Sequence, residues 1–300
     1  MTKILILGGS GMLGHKLFQE LGSRAEVYAT IREQPDALAT HPAFVGADPA
    51  RLLGGVDASS FDSLVRAVGQ VRPAVVINCI GIIKQLREAH DPIPSLSLNA
   101  LLPHRLADLC AVAGARLIQI STDCVFSGRK GSYSEHDLPD AEDLYGRTKL
   151  LGELHRPGCL TIRTSIIGRD PRKPVGLLEW LLSQEGRSVR GFTQAIYSGF
   201  PTRSLARIIG DLITEQPALS GLYHIASHPI SKYDLLVAIR DLLDLAIKLI
   251  PDDGLRCDRS LSAARFIAAT GSVIPQWQTL LDDLFTDPTP YQRSVPHAAT

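Results

Sequence analysis

Apolar residues fall in short runs, and the period within each run predicts an element. Lys3–Leu7 is a compact apolar run that predicts a buried strand. HKLFQELGSR, a few residues on, has apolar positions at helical spacing with a glycine near its end. Further strands are expected at Glu26–Ile31, in a segment ending near Val56, and at Ala74–Cys79, Arg116–Ile120 and Leu160–Ile167. Helices are expected at Ser60–Val71, at Ser97–Ala113 and around Tyr145–Lys149, with 34–51, rich in Pro, Ala and Asp, read as loop. Strand and helix in alternation predict an α/β fold, a Rossmann-type doubly wound parallel sheet.

Beyond Gly168 the texture changes. RDPRKPVG is a proline-broken loop, Leu177–Ser183 a short helix, and GFTQAIYSGFPT a loop with three aromatics. Arg203–Gln216 and Lys232–Leu243 read as helices, Gly221–Ala226 and Ala246–Ile250 as strands. The helices Ser262–Thr270 and Trp277–Phe285 precede a Pro-rich tail expected to fray. The expected division is a nucleotide-binding domain at 1–168, to which 192–230 returns, and a smaller C-terminal α/β substrate lobe made of 169–191 and 231–300.

Composition narrows the function classes. Lys plus Arg and Asp plus Glu are both 31, so no global field argues for nucleic acid or an anionic membrane. No apolar run approaches the roughly 20 residues that span a bilayer, and MTKILILGG is too short an apolar stretch for a signal peptide. The five cysteines are scattered without a CxxC pair, which suits a reduced, cytoplasmic setting. No metal-ligand spacing stands out, and His224 and His228 read as ordinary loop histidines.

Two stretches carry chemistry. Gly8, Gly11 and Gly14 form a G-x-x-G-x-x-G turn between the first strand and its helix, with Ser10, Met12 and Leu13 in it. A tight turn there brings backbone close to a pyrophosphate and packs helix on sheet, which predicts dinucleotide binding. The second strand ends in Ala29-Thr30-Ile31-Arg32, with no carboxylate until Glu33. A guanidinium can clasp a 2′-phosphate, so Arg32 favours NADPH over NADH, unless it is a plain surface arginine. Asp57 could accept from an adenine amino group, or serve as a cap or turn residue for the Ser60–Val71 helix. Cys79-Ile80-Gly81 ends the central strand, and Gly81 would let a ribose or nicotinamide lie against backbone.

The second stretch runs from Gln119 to Glu153. It sets Ser121-Thr122-Asp123 after an apolar run and Tyr145-x-x-x-Lys149 at the start of an amphipathic segment. Residues four apart on a helix share a face, about 6 Å apart along the axis. An ammonium so placed would draw the phenol pKa down from about 10, making Tyr145 a proton donor or acceptor near neutral pH. A hydroxyl such as Thr122 can hydrogen-bond the reacting oxygen. The alternative is a core-facing tyrosine with a solvated lysine beside it. Lys84 and Arg87, in the loop after the central strand, could reach a substrate phosphate or simply face water.

The glycine turn, the Ser-Thr-Asp triplet and Tyr-x-x-x-Lys, in that order, resemble the extended short-chain dehydrogenase/reductase superfamily. STDCVFSGRKGSY, LYGRTKLLGE, IRTSIIG, SGFPT, GLYHIAS and IPQW are similar to segments of its dTDP-4-dehydrorhamnose reductase branch, whose relatives act on other nucleotide-linked 4-keto-6-deoxy sugars. The resemblance implies Thr122, Tyr145 and Lys149 as the catalytic three, with Lys149 also on the nicotinamide ribose. It implies Gly8, Gly11 and Gly14 on the pyrophosphate and Arg163, Thr164 and Ser165 near the nicotinamide. Asp123, Cys124 and Lys84 would meet substrate, with Arg259 on the diphosphate. It also implies a nucleotide-sugar partner, with a homodimer left open. Two departures stand out: Cys124 sits where the branch often has tyrosine, and 171–190 does not match it well. Cys124 has no obvious base to make it a nucleophile, and a buried thiol is the usual state. The rival readings are a dehydratase or epimerase of the same superfamily, and a non-catalytic subunit such as the regulatory subunit of methionine adenosyltransferase. Dehydratases resembling this chain carry a second acid where Cys124 stands; retention of all three catalytic groups argues against a pure scaffold.

Overall fold

The computed structural model describes residues 1–34, 44, 46–84, 87–171 and 176–291. The first six strands are β1 (Lys3–Leu7), β2 (Glu26–Thr30), β3 (Leu52–Leu53), β4 (Val75–Asn78), β5 (Arg116–Ile120) and β6 (Cys159–Arg163). Eight follow: β7 (Ile166–Ile167), β8 (Ser188–Phe192), β9 (Ala195–Tyr197), β10 (Phe200–Pro201), β11 (Gly221–His224), β12 (Ile230–Ser231), β13 (Lys248–Asp252) and β14 (Cys257–Asp258). Seven of them form one parallel sheet in the order β11-β6-β5-β4-β1-β2-β3. Successive strand residues face opposite sides. Ile4 and Ile6 of β1 therefore enter a core shared with the Gly14–Leu21 and Thr202–Thr214 helices, while Leu5 and Leu7 enter another with Phe61–Val71 and Leu102–Ala113. Burial on both faces explains why these strands read as unbroken apolar runs.

The strand order reverses between β1 and β4, so the connections leaving their carboxyl ends diverge and open a crevice there. Two departures from the sequence expectation shape its walls. The stretch expected as one strand, Leu160–Ile167, breaks at Thr164-Ser165: β6 stays in the main sheet and β7 pairs with β10. The helix expected at Ser97–Ala113 begins at Pro92 and passes through a π turn at Leu96–Leu101 before Leu102–Ala113. Such widened turns recur at functional sites.

Smaller sheets stand over the crevice: β9 pairs with β12 and β14, and β8 with β13. Helices Leu177–Leu182, Lys232–Leu242 and Trp277–Phe285 pack there around Leu181, Leu236, Ile239 and Leu281.

The tail expected to fray is held in its described part, with residues 292–300 outside the described residues. Through Tyr291 it lies along the Gly14–Leu21 helix. Asp287 pairs with the buried Lys16 at 2.5 Å, Thr289 accepts from Lys16 at 2.6 Å, and the Tyr291 hydroxyl meets His15 Nε2 at 2.7 Å. The loop expectation for His224 also fails. It is fully buried in β11 against the Tyr133 carbonyl, and burial with the adjacent Arg163 lowers its pKa to about 3. His228 is exposed in the turn. Among the described residues no helix is long and apolar enough to cross a membrane.

Candidate active site

The glycine turn follows β1 directly. Gly8 has φ of 82°, a left-handed conformation only glycine adopts freely, and its N–H donates to Thr30 Oγ1 at 3.1 Å. A Cβ on Gly14 would collide with the Gly8 carbonyl, so helix and turn interlock through the missing side chain. Gly9, outside the recognised spacing, is as constrained: its N–H donates to the Thr30 carbonyl at 2.8 Å, and a Cβ would run into Ala29. Ser10 and Leu13 are buried, Met12 is half-buried, and no side chain caps the helix. The turn thus offers backbone and a helix N-terminus to an anion. Gly14→Ala should weaken NADPH binding by more than about tenfold, read by fluorescence titration. Unchanged affinity would take the pyrophosphate away from this turn.

Arg32 is exposed at the end of β2, and its charge lowers the pKa of Asp57, so the two sit together at the far end of the crevice. Asp57 Oδ1 accepts from Ser59 N–H at 2.9 Å, the main cause of that lowering, and its carbonyl accepts from Ser63 at 2.6 Å. This turn-forming role matches the second reading of Asp57.

Cys79, Ile80 and Gly81 leave β4 beside the turn, where the Ile80 side chain lies 3.2 Å from the place of a Gly8 Cβ. Gly81 lies where Asn99 and Lys149 converge. A Cβ there would sit 3.0 Å from Asn99 Oδ1 and 3.9 Å from Lys149 Nζ. Asn99, in the π turn, clamps the loop by accepting from Ile82 N–H at 2.9 Å and donating to its carbonyl at 3.1 Å. The sequence placed Asn99 near the start of a helix and assigned it no task.

β5 delivers Thr122 and Asp123 to the carboxyl edge. Thr122 donates to Asp123 Oδ1 at 3.1 Å and accepts from Cys124 N–H at 3.1 Å, and it lies close enough to the Tyr145 phenol to pull its pKa down. The helix Leu144–Leu151 reaches this point because residue 146 is glycine: a Cβ would overlap the Cys124 carbonyl. Asp143 caps the helix by accepting from Gly146 N–H at 2.7 Å. Burial pushes the Tyr145 pKa well up, helped by Cys124, Asp123 and Asp143, and Thr122 only partly offsets this. The Cys124 thiol is pushed up to about 12 by burial and by Asp123, so it stays protonated.

Here the expected lysine–tyrosine coupling needs correction. Lys149 is buried and its ammonium donates to the Ile120 carbonyl at 2.6 Å. The chief influences on Tyr145 are burial and acidic neighbours, so its phenol rises where the sequence predicted a fall. Burial lowers the Lys149 pKa to about 8, against an upward pull from Glu153. The folded state therefore binds fewer protons than the unfolded chain between pH 8 and 10.5, and stability of the ligand-free protein should rise with pH across that window. Lys149→Met should remove this rise in chemical-denaturation midpoints.

On the substrate side, Lys84 pairs with Asp143 at 2.7 Å, half-exposed at the mouth. Arg87, also considered for this role, has a side chain outside the described residues. Arg259 donates to the Phe126 carbonyl at 2.8 Å, and its charge acts on Asp123 together with that of Lys232. Asp123 is buried, and its pKa is raised by burial. Thr164 is buried beside Asp123, its carbonyl accepting from the Asp123 N–H at 3.1 Å. The structure thus brings Thr122, Asp123, Cys124, Tyr145 and Arg259 into one cluster, with Lys149 and Gly81 next to each other nearby.

Residues 1–288 match the sequence pattern described as the RmlD substrate binding domain. The chain belongs to that family. Within the extended short-chain dehydrogenases/reductases, it is 27% identical over 269 residues to methionine adenosyltransferase 2 subunit beta of Danio rerio, covering 83% of this chain and 76% of that protein. It is 31% identical over 150 residues to dTDP-4-dehydrorhamnose reductase of Streptomyces griseus, half of this chain and 43% of that one. Its fold matches dTDP-4-dehydrorhamnose reductase of Bacillus anthracis, solved in complex with NADP, with a TM-score of 0.79 at 21% identity, covering 96% of this chain and all of that one.

Proposed function

We propose that this protein is an oxidoreductase that uses NADPH to reduce the C4 ketone of a nucleotide-linked 4-keto-6-deoxy sugar. The carrying observation is that the Thr122 hydroxyl, at the carboxyl edge of β5, lies close enough to the Tyr145 phenol to act on its pKa, with Lys149 and Gly81 next to each other nearby. The family membership and the likeness to dTDP-4-dehydrorhamnose reductases support the same reading. Bound in the crevice, the nicotinamide supplies a hydride to the carbonyl carbon. Thr122 and Tyr145 donate hydrogen bonds to the ketone oxygen, and Tyr145 gives its proton as negative charge develops there. A raised phenol pKa suits this direction, because the group is fully protonated at neutral pH. Lys149, held by the Ile120 carbonyl beside Gly81, would hold the ribose hydroxyls, and the tyrosinate would regain its proton from solvent after turnover. Arg32 selects the 2′-phosphate, which favours NADPH, and Arg259 and Lys232 face the diphosphate. The product would be a deoxysugar nucleotide of the kind used to build surface polysaccharide.

The test offers NADPH and NADH with dTDP- and UDP-linked 4-keto-6-deoxy sugars and follows nicotinamide absorbance. Oxidation dependent on one keto-sugar is expected, and none across the panel would end the reading.

A second reading, a subunit that binds NADP and a protein partner, is favoured by the likeness to methionine adenosyltransferase 2 subunit beta. It would show as stoichiometric complex formation with no turnover.

A further inference from the structure

Tyr197 lies outside every motif read from the sequence, and its two ends are in different surroundings. The ring is seated in the smaller lobe's core, 5.9 Å from the Trp277 ring. Its hydroxyl points the other way and makes no hydrogen bond of ordinary geometry, although the residue is only 7% exposed. Room for that hydroxyl depends on residue 199 being glycine. A Cβ on Gly199 would overlap both the Tyr197 hydroxyl and the Ser165 carbonyl, so these two groups flank one point. Ser165 follows Thr164, whose carbonyl holds the Asp123 N–H at 3.1 Å, and Asp123 in turn accepts from Thr122. The phenol tip therefore borders the wall of the pocket that holds Thr122 and Tyr145. β9 also runs beside β14, where Ala195 pairs with Cys257 and Ile196 with Asp258, the residue before Arg259.

A buried donor left without an acceptor costs the desolvation of that group, and native proteins keep few of them outside functional sites. Packing alone would be served by phenylalanine, which keeps the ring and drops the cost. Building on the ketoreductase reading, we propose that the Tyr197 hydroxyl is a substrate-contacting group that donates to a hydroxyl oxygen of the bound sugar. It would then help fix which ring position is presented to Tyr145. Asp123, on the same wall, is the matching acceptor for a sugar hydroxyl proton.

Tyr197→Phe separates this role from a structural one because the two predict opposite signs. If the hydroxyl waits for substrate, its removal leaves the melting temperature of the ligand-free protein unchanged or raises it. KM for the keto-sugar should rise by about tenfold, and NADPH affinity should stay put. An unchanged KM, or a lower melting temperature without ligand, overturns the proposal. Failure of wild type to turn over any keto-sugar would sink the ketoreductase reading alone. The Tyr197 role is then decided by calorimetric titration of dTDP-rhamnose and UDP-N-acetylglucosamine into the NADP+-saturated protein. Weaker binding by the Tyr197→Phe protein supports it; equal binding, or no binding by wild type, overturns it.

Discussion

Tyr145→Phe is expected to lower kcat by about 10² to 10⁴ while leaving the NADPH Kd within about twofold of wild type. The substitution removes one oxygen and keeps the ring, so the Gly146 contact with the Cys124 carbonyl and the Asp143 cap survive. Thr122 still polarises the ketone oxygen, but it cannot easily replace a phenol as proton source. Its one hydroxyl proton, given to the Asp123 carboxylate in the ligand-free protein, must turn from there to the ketone. The cofactor turn lies on the other side of Gly81 and does not depend on the phenol. Steady-state rates with the best keto-sugar and a fluorescence titration of NADPH check both halves. Near-native turnover would remove Tyr145 from the chemistry. Lost cofactor binding would make it a structural residue.

The second large effect concerns stability. Glu153→Gln is expected to destabilise the protein by about 3–5 kcal/mol, because it strips the charge partner from a buried guanidinium. Arg163 Nε and Nη2 donate to the two Glu153 oxygens at 2.8 and 2.7 Å, and both side chains are almost fully buried. Ser121 donates to the same carboxylate at 2.7 Å, and the guanidinium lies over Phe126 with its centre 5.1 Å from the ring. This pair ties the end of the Leu144–Leu151 helix to β6, and Ser121, next to Thr122, joins the end of β5 to it. Glu153 also pulls the Lys149 pKa upward, so glutamine there should drop it below about 8 and leave less ammonium at neutral pH. Urea unfolding gives the stability change. The double change Glu153→Met with Arg163→Met tests the cause. Removing both charges should recover about half of the loss or more, since a buried ion pair stabilises little against apolar replacements. No recovery would mean that shape and hydrogen bonds, rather than an orphaned charge, set the cost.

The candidate residues could be named from the sequence, but the direction of the phenol's shift could not. Tyr145 and Lys149 were legible as a helical pair, and period alone puts them on one face. Period does not say how far a four-carbon stem bends or how dry the site is. Lys149 turns to the Ile120 carbonyl, and burial outweighs its charge at the phenol. The tail shows the same limit. Proline and terminal position argued for fraying, but Asp287, Thr289 and Tyr291 find Lys16 and His15, buried partners more than 270 positions away in the chain.

What the chain order alone determined here is local. Apolar runs bounded by glycine made the alternating strands and helices legible, and the short spacing of Gly8, Gly11 and Gly14 marked the cofactor turn, because both follow from backbone geometry over a few residues. Only the tertiary structure decided what crosses the chain. It set Asn99 against Gly81, closed Glu153 on Arg163, buried His224 and aimed the Tyr197 hydroxyl past Gly199. Such contacts depend on which distant surfaces share a dry interior, where solvation and charge are worth several times what they are in water. No window of neighbouring residues carries that information.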